Sequence, residues 1–262
     1  MIRKFIPAAL VLGLAITSHA QTAAAEEAPA APATEEAAPA IDPATVKTNA
    51  SYALGYQNGR QLASYGIVSS DLDIEAFKKG FLSCLDGAEL SLSQDDIDAA
   101  LTAFGNSLQA RETEKAAANL KTGQEFLAEN GKREGVKTTE SGLQYEVLTE
   151  GKGQTYKEED GDKIFMVNYK GSLISGKEFD KSPEGEPVAM TLQVIPGFKE
   201  ALTSMPVGSK WKVYIPSDLA YGESRSGADI APNSVLIFEL ELVEIQDAPE
   251  SSGLPFPMPQ GH

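Results

Sequence analysis

The sequence predicts an α+β chain: an all-helical N-terminal domain ending in a long connecting helix, then an antiparallel β-sheet wrapped around one short helix. Three observations predict this. From Ala44 to Asn130 apolar residues recur at helical spacing. From Glu140 onward the period changes to two and turn residues multiply. Within that second region only Pro196 to Ser204 reads as a helix.

Taken in order, residues 1–20 run from Arg3 and Lys4 through an apolar stretch, Phe5 to Ile16, to Ser18-His19-Ala20. That basic, apolar, small-residue order is the pattern of a secretory signal peptide and predicts export, to the periplasm or alternatively the outer surface. The apolar stretch is short of the roughly 20 residues a membrane helix needs, so no stable membrane span is expected. Residues 21–43 are almost entirely Ala, Pro, Glu and Thr and read as a disordered tether. Residues 44–139 form the helical domain and connecting helix. Val46, Ala50, Ala53 and Leu54 share a face of the first helix, which Gly66 interrupts. Asp73 caps a second helix presenting Ile74, Phe77, Phe81, Cys84 and Leu85, which stops at Gly87. Ser93 and Asp96 open a third in capping-box fashion, with Ile97, Leu101, Phe104 and Leu108 on its apolar side. If that helix continues to Asn130-Gly131 it is about 50 Å long. So small a helical unit encloses little core by itself, and pairing with a second copy through residues 44–130 is the economical solution. Gly55 and Gly59, one turn apart, would admit a closely approaching helix from the same chain or another.

Residues 140–246 form the second domain, a comfortable size for one core. Its strand candidates are the alternating Leu143, Tyr145 and Val147, then Ile164 to Leu173, Val188 to Leu192, Lys210 to Ile215 and Val235 to Ile245. Residues 247–262, with four prolines, read as a disordered tail.

Composition excludes several functions. The formal net charge of −16 on 262 residues opposes phosphate-backbone binding, so nucleic acid is not an expected partner. The two histidines are His19 and His262, leaving none for a Ser-His-Asp triad or a histidine zinc site. Cys84 is the single cysteine, expected as a small buried hydrophobe, with an intersubunit disulfide as the alternative. Gly151-Lys152-Gly153-Gln154-Thr155 lacks P-loop spacing, and Glu158 to Asp162 lacks the EF-hand alternation.

The informative segments are Val167-Asn168-Tyr169-Lys170-Gly171, Gly176-Lys177-Glu178-Phe179-Asp180, Gln193-Val194-Ile195-Pro196-Gly197-Phe198, Ala220-Tyr221-Gly222-Glu223 and Pro232 to Phe238. They distribute aromatic and branched side chains over separate strands and loops, as a small apolar pocket requires, with Asp180 as the polar exception. Taken singly, Phe179, Val194, Ile195 and Phe238 also suit plain core positions. The joint spacing makes the pocket reading specific.

In order and spacing these segments resemble the FKBP family of peptidyl-prolyl cis/trans isomerases, and the helices before them resemble the dimerisation domain of its Mip-like branch. The resemblance implies an enzyme without cofactor or metal that stabilises a twisted X–Pro amide in an apolar pocket. Clients would be unfolded or partly folded proline-containing polypeptides of exported proteins, with chaperone activity from a helical homodimer. A non-catalytic holdase or surface binding factor is the alternative. By the same resemblance, Asp180, Tyr169 and Tyr221 are the catalytic residues, while Phe179, Val194, Ile195, Phe198, Ile230 and Phe238 bind substrate; macrolide inhibitors would share the pocket. Two departures stand out: the floor, usually tryptophan, is Phe198, and Asp229 occupies a position suited to an apolar residue.

Overall fold

The computed structural model describes residues 42–248. The expected signal peptide, and most of the tether and of the tail, lie outside the described residues. Four α-helices and seven strands follow in the order α1 (Pro43–Ser64), α2 (Ile74–Leu85), α3 (Gln94–Asn130), β1 (Val136–Thr138), β2 (Gln144–Thr149), β3 (Lys163–Leu173), β4 (Glu178–Lys181), β5 (Val188–Met190), α4 (Pro196–Ser204), β6 (Lys210–Ile215) and β7 (Leu236–Asp247). The first helix therefore takes in Pro43, one residue before the expected start of the helical region, and the last strand runs to Asp247, two residues past the expected Ile245. No helix among the described residues is long and apolar enough to cross a membrane.

Helix starts follow side-chain chemistry. Asp42 accepts the N–H groups of Ala44 and Thr45 at 2.9 and 3.2 Å, Asp73 accepts that of Ala76 at 3.0 Å, and Ser93 accepts that of Asp96 at 3.2 Å. Each satisfies a donor that the first turn leaves without a partner. Gly66, at φ 78°, and Gly87, at φ 69°, follow α1 and α2 in the left-handed conformation that glycine adopts without strain. The third helix is uninterrupted over 37 residues, about 55 Å.

Within the chain α1 and α2 bury almost nothing. Tyr52, Leu54, Tyr56, Ile74, Phe77, Phe81 and Leu85 are all exposed. Cys84, expected to be buried, is exposed for the same reason: it shares α2 with Phe77 and Phe81, and that helix has no buried residue.

All sheet pairings are antiparallel, in the order β1-β2-β6-β7-β3-β4, with β5 also on β3. The long β3 thus pairs β7 along one edge and divides its other edge between β4, at Lys170–Ser172, and β5, at Phe165–Val167. Strands β1 and β4 were not among the sequence expectations. Both are short, and their side chains are mostly exposed, so neither carries the alternation that reveals a half-buried strand.

In β7 the buried residues Leu236, Phe238, Leu240 and Leu242 alternate, but the next buried one is Ile245. A register shift opposite Met166/Val167 inserts Val243 and returns Ile245 to the core face. Helix α4 packs on that face. A Cβ on Gly197 would collide with the Ile215 side chain, so this glycine sets how closely helix and sheet approach. On the opposite side Phe126 of α3 packs on Tyr214 at 5.9 Å. Nearby, buried Asn130 donates to Gln144 at 2.9 Å and Gln144 donates to the Leu127 carbonyl at 2.9 Å, so the polar groups beneath the helix end are satisfied.

Candidate active site

Tyr169 and Gly171 are two apart on β3 and so share a face, and Phe238 on β7 is directly opposite Gly171. With no side chain at 171, two rings close over the strand: a Cβ there would lie 2.7 Å from Phe179 Cε2 and Cζ and 2.8 Å from Phe238 Cε1. Phe179 meets Phe238 edge to face at 5.5 Å, Phe198 of α4 meets Phe238 at 5.1 Å, and Tyr169 meets Phe198 at 6.3 Å. Interplanar angles of 85 to 90° put ring edges on ring faces, the arrangement aromatic quadrupoles favour. Phe198 and Phe238, 4% and 6% exposed, are the buried members of this ring cluster; Tyr169 and Phe179 are half-buried.

A bulge supplies the polar group. Gly171 pairs with Asp180, but Ser172 pairs with Glu178, so Phe179 is an extra residue in β4. In a regular strand, consecutive side chains point to opposite faces; the bulge re-aims them, so that Phe179 meets Phe238 while its neighbour Asp180 meets the Tyr169 hydroxyl. The Tyr169 hydroxyl donates to Asp180 Oδ2 at 2.7 Å, while Asp180 Oδ1 accepts the Lys181 N–H at 2.9 Å. Burial, and then the adjacent Asp180 carboxylate, push the Tyr169 phenol well above the ordinary tyrosine range, so it stays a protonated donor.

Val194 and Ile195, on the approach to α4, pack against the core beside these rings, and Ile230 is within the core cluster. Ile195 is the N-cap of α4, its carbonyl accepting the N–H groups of Phe198 and Lys199 at 3.0 Å each. Tyr221 stands apart from the ring cluster: it lies on a turn after β6 and is 41% exposed. Trp211 stacks on Tyr145 at 4.2 Å, whereas Phe198 meets Tyr169 and Phe238. Asp229 takes an ion pair with Lys177 at 2.6 Å, which accounts for a carboxylate where an apolar residue was expected.

Residues 154–243 match the model of the FKBP-type peptidyl-prolyl cis-trans isomerase, and residues 47–147 that of the domain amino terminal to it. Over 203 residues the chain is 42% identical to the FKBP-type 22 kDa peptidyl-prolyl cis-trans isomerase of Escherichia coli (strain K12), covering 77% of this chain and 96% of that protein. The chain belongs to the FKBP family of peptidyl-prolyl cis/trans isomerases. This FKBP is also 35% identical to the outer membrane protein MIP of Legionella longbeachae, over 78% of its own length and 88% of the relative's. The crystal structure of FkpA from Escherichia coli matches it with a TM-score of 0.54 at 37% identity, covering 79% of this chain and 96% of that one. The FKBP fold with its helical N-terminal extension, and the isomerase activity, are thereby established for this chain.

Two residues that shape this ring cluster carry no signal in the sequence. Gly171 belongs to the Val167-Asn168-Tyr169-Lys170-Gly171 segment, yet nothing in a lone sequence says that two rings close over it. Buried Ser182 extends the β3–β4 pairing: its hydroxyl accepts the Tyr169 N–H at 3.1 Å, and its N–H donates to the Tyr169 carbonyl at 3.0 Å. A serine two residues past Asp180 carries no signal of that role.

Proposed function

We propose that the prolyl ring of a substrate rests on the floor of Phe198 and Phe238, walled by Phe179, Val194, Ile195 and Ile230, with Asp180, Tyr169 and Tyr221 acting on the reacting amide. The observation that carries this is the Tyr169–Asp180 hydrogen bond standing over a buried aromatic floor. Rotation about the peptide bond faces a barrier of about 18–20 kcal/mol because conjugation makes it partly double. A site that strips water from the carbonyl and fits the twisted amide better than either planar form lowers that barrier, by about 1.4 kcal/mol for each tenfold in rate. Two donors suit that work. Among the described residues the Ile195 N–H donates to no protein acceptor, leaving it for a substrate carbonyl, and the exposed Tyr221 hydroxyl serves another. Asp180 holds Tyr169 in place and interacts with the turning amide. In a protease-coupled assay on a proline tetrapeptide, the wild type accelerates the slow phase, and Asp180→Ala and Tyr221→Phe weaken that acceleration. Undiminished rates in both variants would remove these roles.

The N-terminal region, residues 44–139, is the pairing module, and residues 140–246 are the isomerase module. Exposed Phe77, Phe81, Ile74 and Leu85 on α2, and Tyr52 and Tyr56 on α1, support homodimerisation through residues 44–130, since apolar patches of this kind mark interaction surfaces. Sedimentation should return a dimer for the wild type and a monomer for Phe77→Glu/Phe81→Glu; a monomeric wild type removes the reading. The same apolar helices favour a second reading, a holdase for partly folded exported proteins. It predicts that Asp180→Ala still suppresses aggregation of a proline-free client. The order of residues 3–20 and the likeness to a protein named for the outer membrane support export, with the periplasm as destination.

A further inference from the structure

The segment from Ala220 to Val235 carries Tyr221 and Ile230, yet it contributes to none of the seven strands. Its internal ties are short-range: the Ser226–Ile230 pair, the Ser224 N–H on the Tyr221 carbonyl at 3.1 Å, the Asn233 N–H on the Gly222 carbonyl at 2.7 Å, the Ser234 hydroxyl on the Ala231 carbonyl at 2.7 Å, and Arg225 Nη1 on the Ala228 carbonyl at 3.3 Å. From outside it is held by the Gly222 N–H on the Ser217 carbonyl at 2.9 Å, by the Lys177–Asp229 ion pair, by burial of Ile230 in the core, and most extensively by α3. Arg225 Nε and Nη2 both donate to Glu112 Oε2, at 3.0 and 2.7 Å. Asn233 donates to the Ala116 carbonyl at 3.2 Å, Asn119 donates to the Pro232 carbonyl at 2.8 Å, and Gly123 leaves room for Val235, whose Cγ2 would lie 2.8 Å from an added Cβ. Positions 112, 116, 119 and 123 share one helix face, so the segment is laid along about three turns.

Of these four anchors the Glu112–Arg225 pair is the ionic one, and like the neighbouring Arg111–Asp71 pair, 29% and 15% exposed, it is withdrawn from solvent. Its side chains are 15% and 14% exposed, against 59% and 36% for Lys177 and Asp229 on the other flank. A pair largely withdrawn from solvent resists screening; Lys115 Nζ also lies 3.4 Å from Glu112 Oε1, so removing Arg225 leaves Glu112 that one more exposed partner, while removing the Glu112 charge leaves Arg225 without its carboxylate. Gly66, in the turn after α1, covers it: an added Cβ would lie 3.1 Å from Glu112 Oε1 and 3.2 Å from Arg225 Nε. That turn is itself held to α3, where Arg111 Nη2 donates to the Gly66 carbonyl at 2.6 Å and to Asp71 Oδ2 at 2.8 Å. Arg225 also falls between Tyr221 and Ile230 in sequence, so the anchor acts within the segment, while the asparagine and valine contacts act at its far end.

We infer that Glu112 is a positioning residue for prolyl isomerisation, fixing Tyr221 and Ile230 at the site through its ion pair with Arg225; this rests on the reading that those two residues serve the site. The full-length chain tests it through Glu112→Gln, Arg225→Gln and Arg225→Lys, with Tyr221→Phe in parallel. Two readouts are taken: kcat/KM on a series of tetrapeptides varying the residue before proline, and amide hydrogen exchange by mass spectrometry. Glu112→Gln and Arg225→Gln should lower kcat/KM roughly three- to tenfold. They should narrow the preference among peptides and speed exchange over residues 221–231, while exchange in β3 and β7 stays as in the wild type. Arg225→Lys should recover part of the loss. Unchanged kcat/KM in Glu112→Gln, or faster exchange spread over the whole sheet, overturns the inference. If Tyr221→Phe lowers kcat/KM while Glu112→Gln does not, the inference alone falls; if neither does, the placing of Tyr221 at the site falls with it.

Discussion

Replacing Gly171 with alanine asks whether the ring cluster is as tightly closed as the geometry says. The new methyl carbon would have to sit 2.7 Å from two atoms of Phe179 and 2.8 Å from one of Phe238. Carbon atoms prefer about 3.5–4.0 Å, so both rings must retreat by about 0.7 Å or more. They are not equally free. Phe238 is 6% exposed and pressed by Phe198 at 5.1 Å, whereas Phe179 is half-buried with solvent on one side. Overpacking of this kind costs about 1–3 kcal/mol, and for a chain of this size each kcal/mol lowers Tm by about 2–4 °C. The activity should suffer more than the fold, because misplacing binding groups by about 1 Å can reduce turnover about a hundredfold. Thermal unfolding followed by circular dichroism and the protease-coupled assay give the two readings. If Phe179 alone swings outward, Tm falls little and kcat/KM falls steeply; if Phe238 is displaced, both fall. A Gly171→Ala protein with wild-type Tm and wild-type kcat/KM would refute the tight closure of these rings over β3.

The Tyr169 phenol, raised by burial and by Asp180, should remain protonated while ordinary tyrosines ionise near pH 10; the ultraviolet titration of Tyr169→Phe should therefore match the wild type up to that pH, and a missing phenolate step would count against it. Asp71 is held below the ordinary aspartate range chiefly by its hydrogen bond from Arg111. Its contribution is complete above about pH 4 and fades as pH falls through its lowered folded value, so the Tm gap between wild type and Asp71→Asn should close in acid, and a constant gap would refute this. Phe198→Trp, enlarging the floor, should strengthen macrolide binding by about tenfold or more while changing peptide turnover less, as read by titration calorimetry and kinetics; equal changes in both would refute the assignment of Phe198 to the floor.

Helix limits were legible where chemistry is local. Asp73 and Ser93 announce their caps, Pro196 opens α4, and Gly66 and Gly87 close their helices through backbone preference alone. The long strands were legible from alternation. What stayed hidden is pairwise and distant. The bulge that aims Phe179 and Asp180 together depends on the register between β3 and β4, which no residue in β4 encodes by itself. Gly171 and Ser182 matter because of what stands across from them. Cys84 is exposed against expectation because helical periodicity reports an apolar face and does not say whether anything within the chain covers it.

One uninterrupted rod, α3, carries both Ile97, Phe104 and Leu108 near its start and the seat for residues 225–235 farther along. Such an axle fixes angular phase as well as distance. Deleting a single residue between Leu108 and Arg111 would swing one stretch about 100° around the other, whereas inserting seven would return them nearly to alignment with roughly 10 Å more reach. Sequence drift in that interval is thereby confined to substitution or to changes of whole turns, even at positions whose side chains touch nothing.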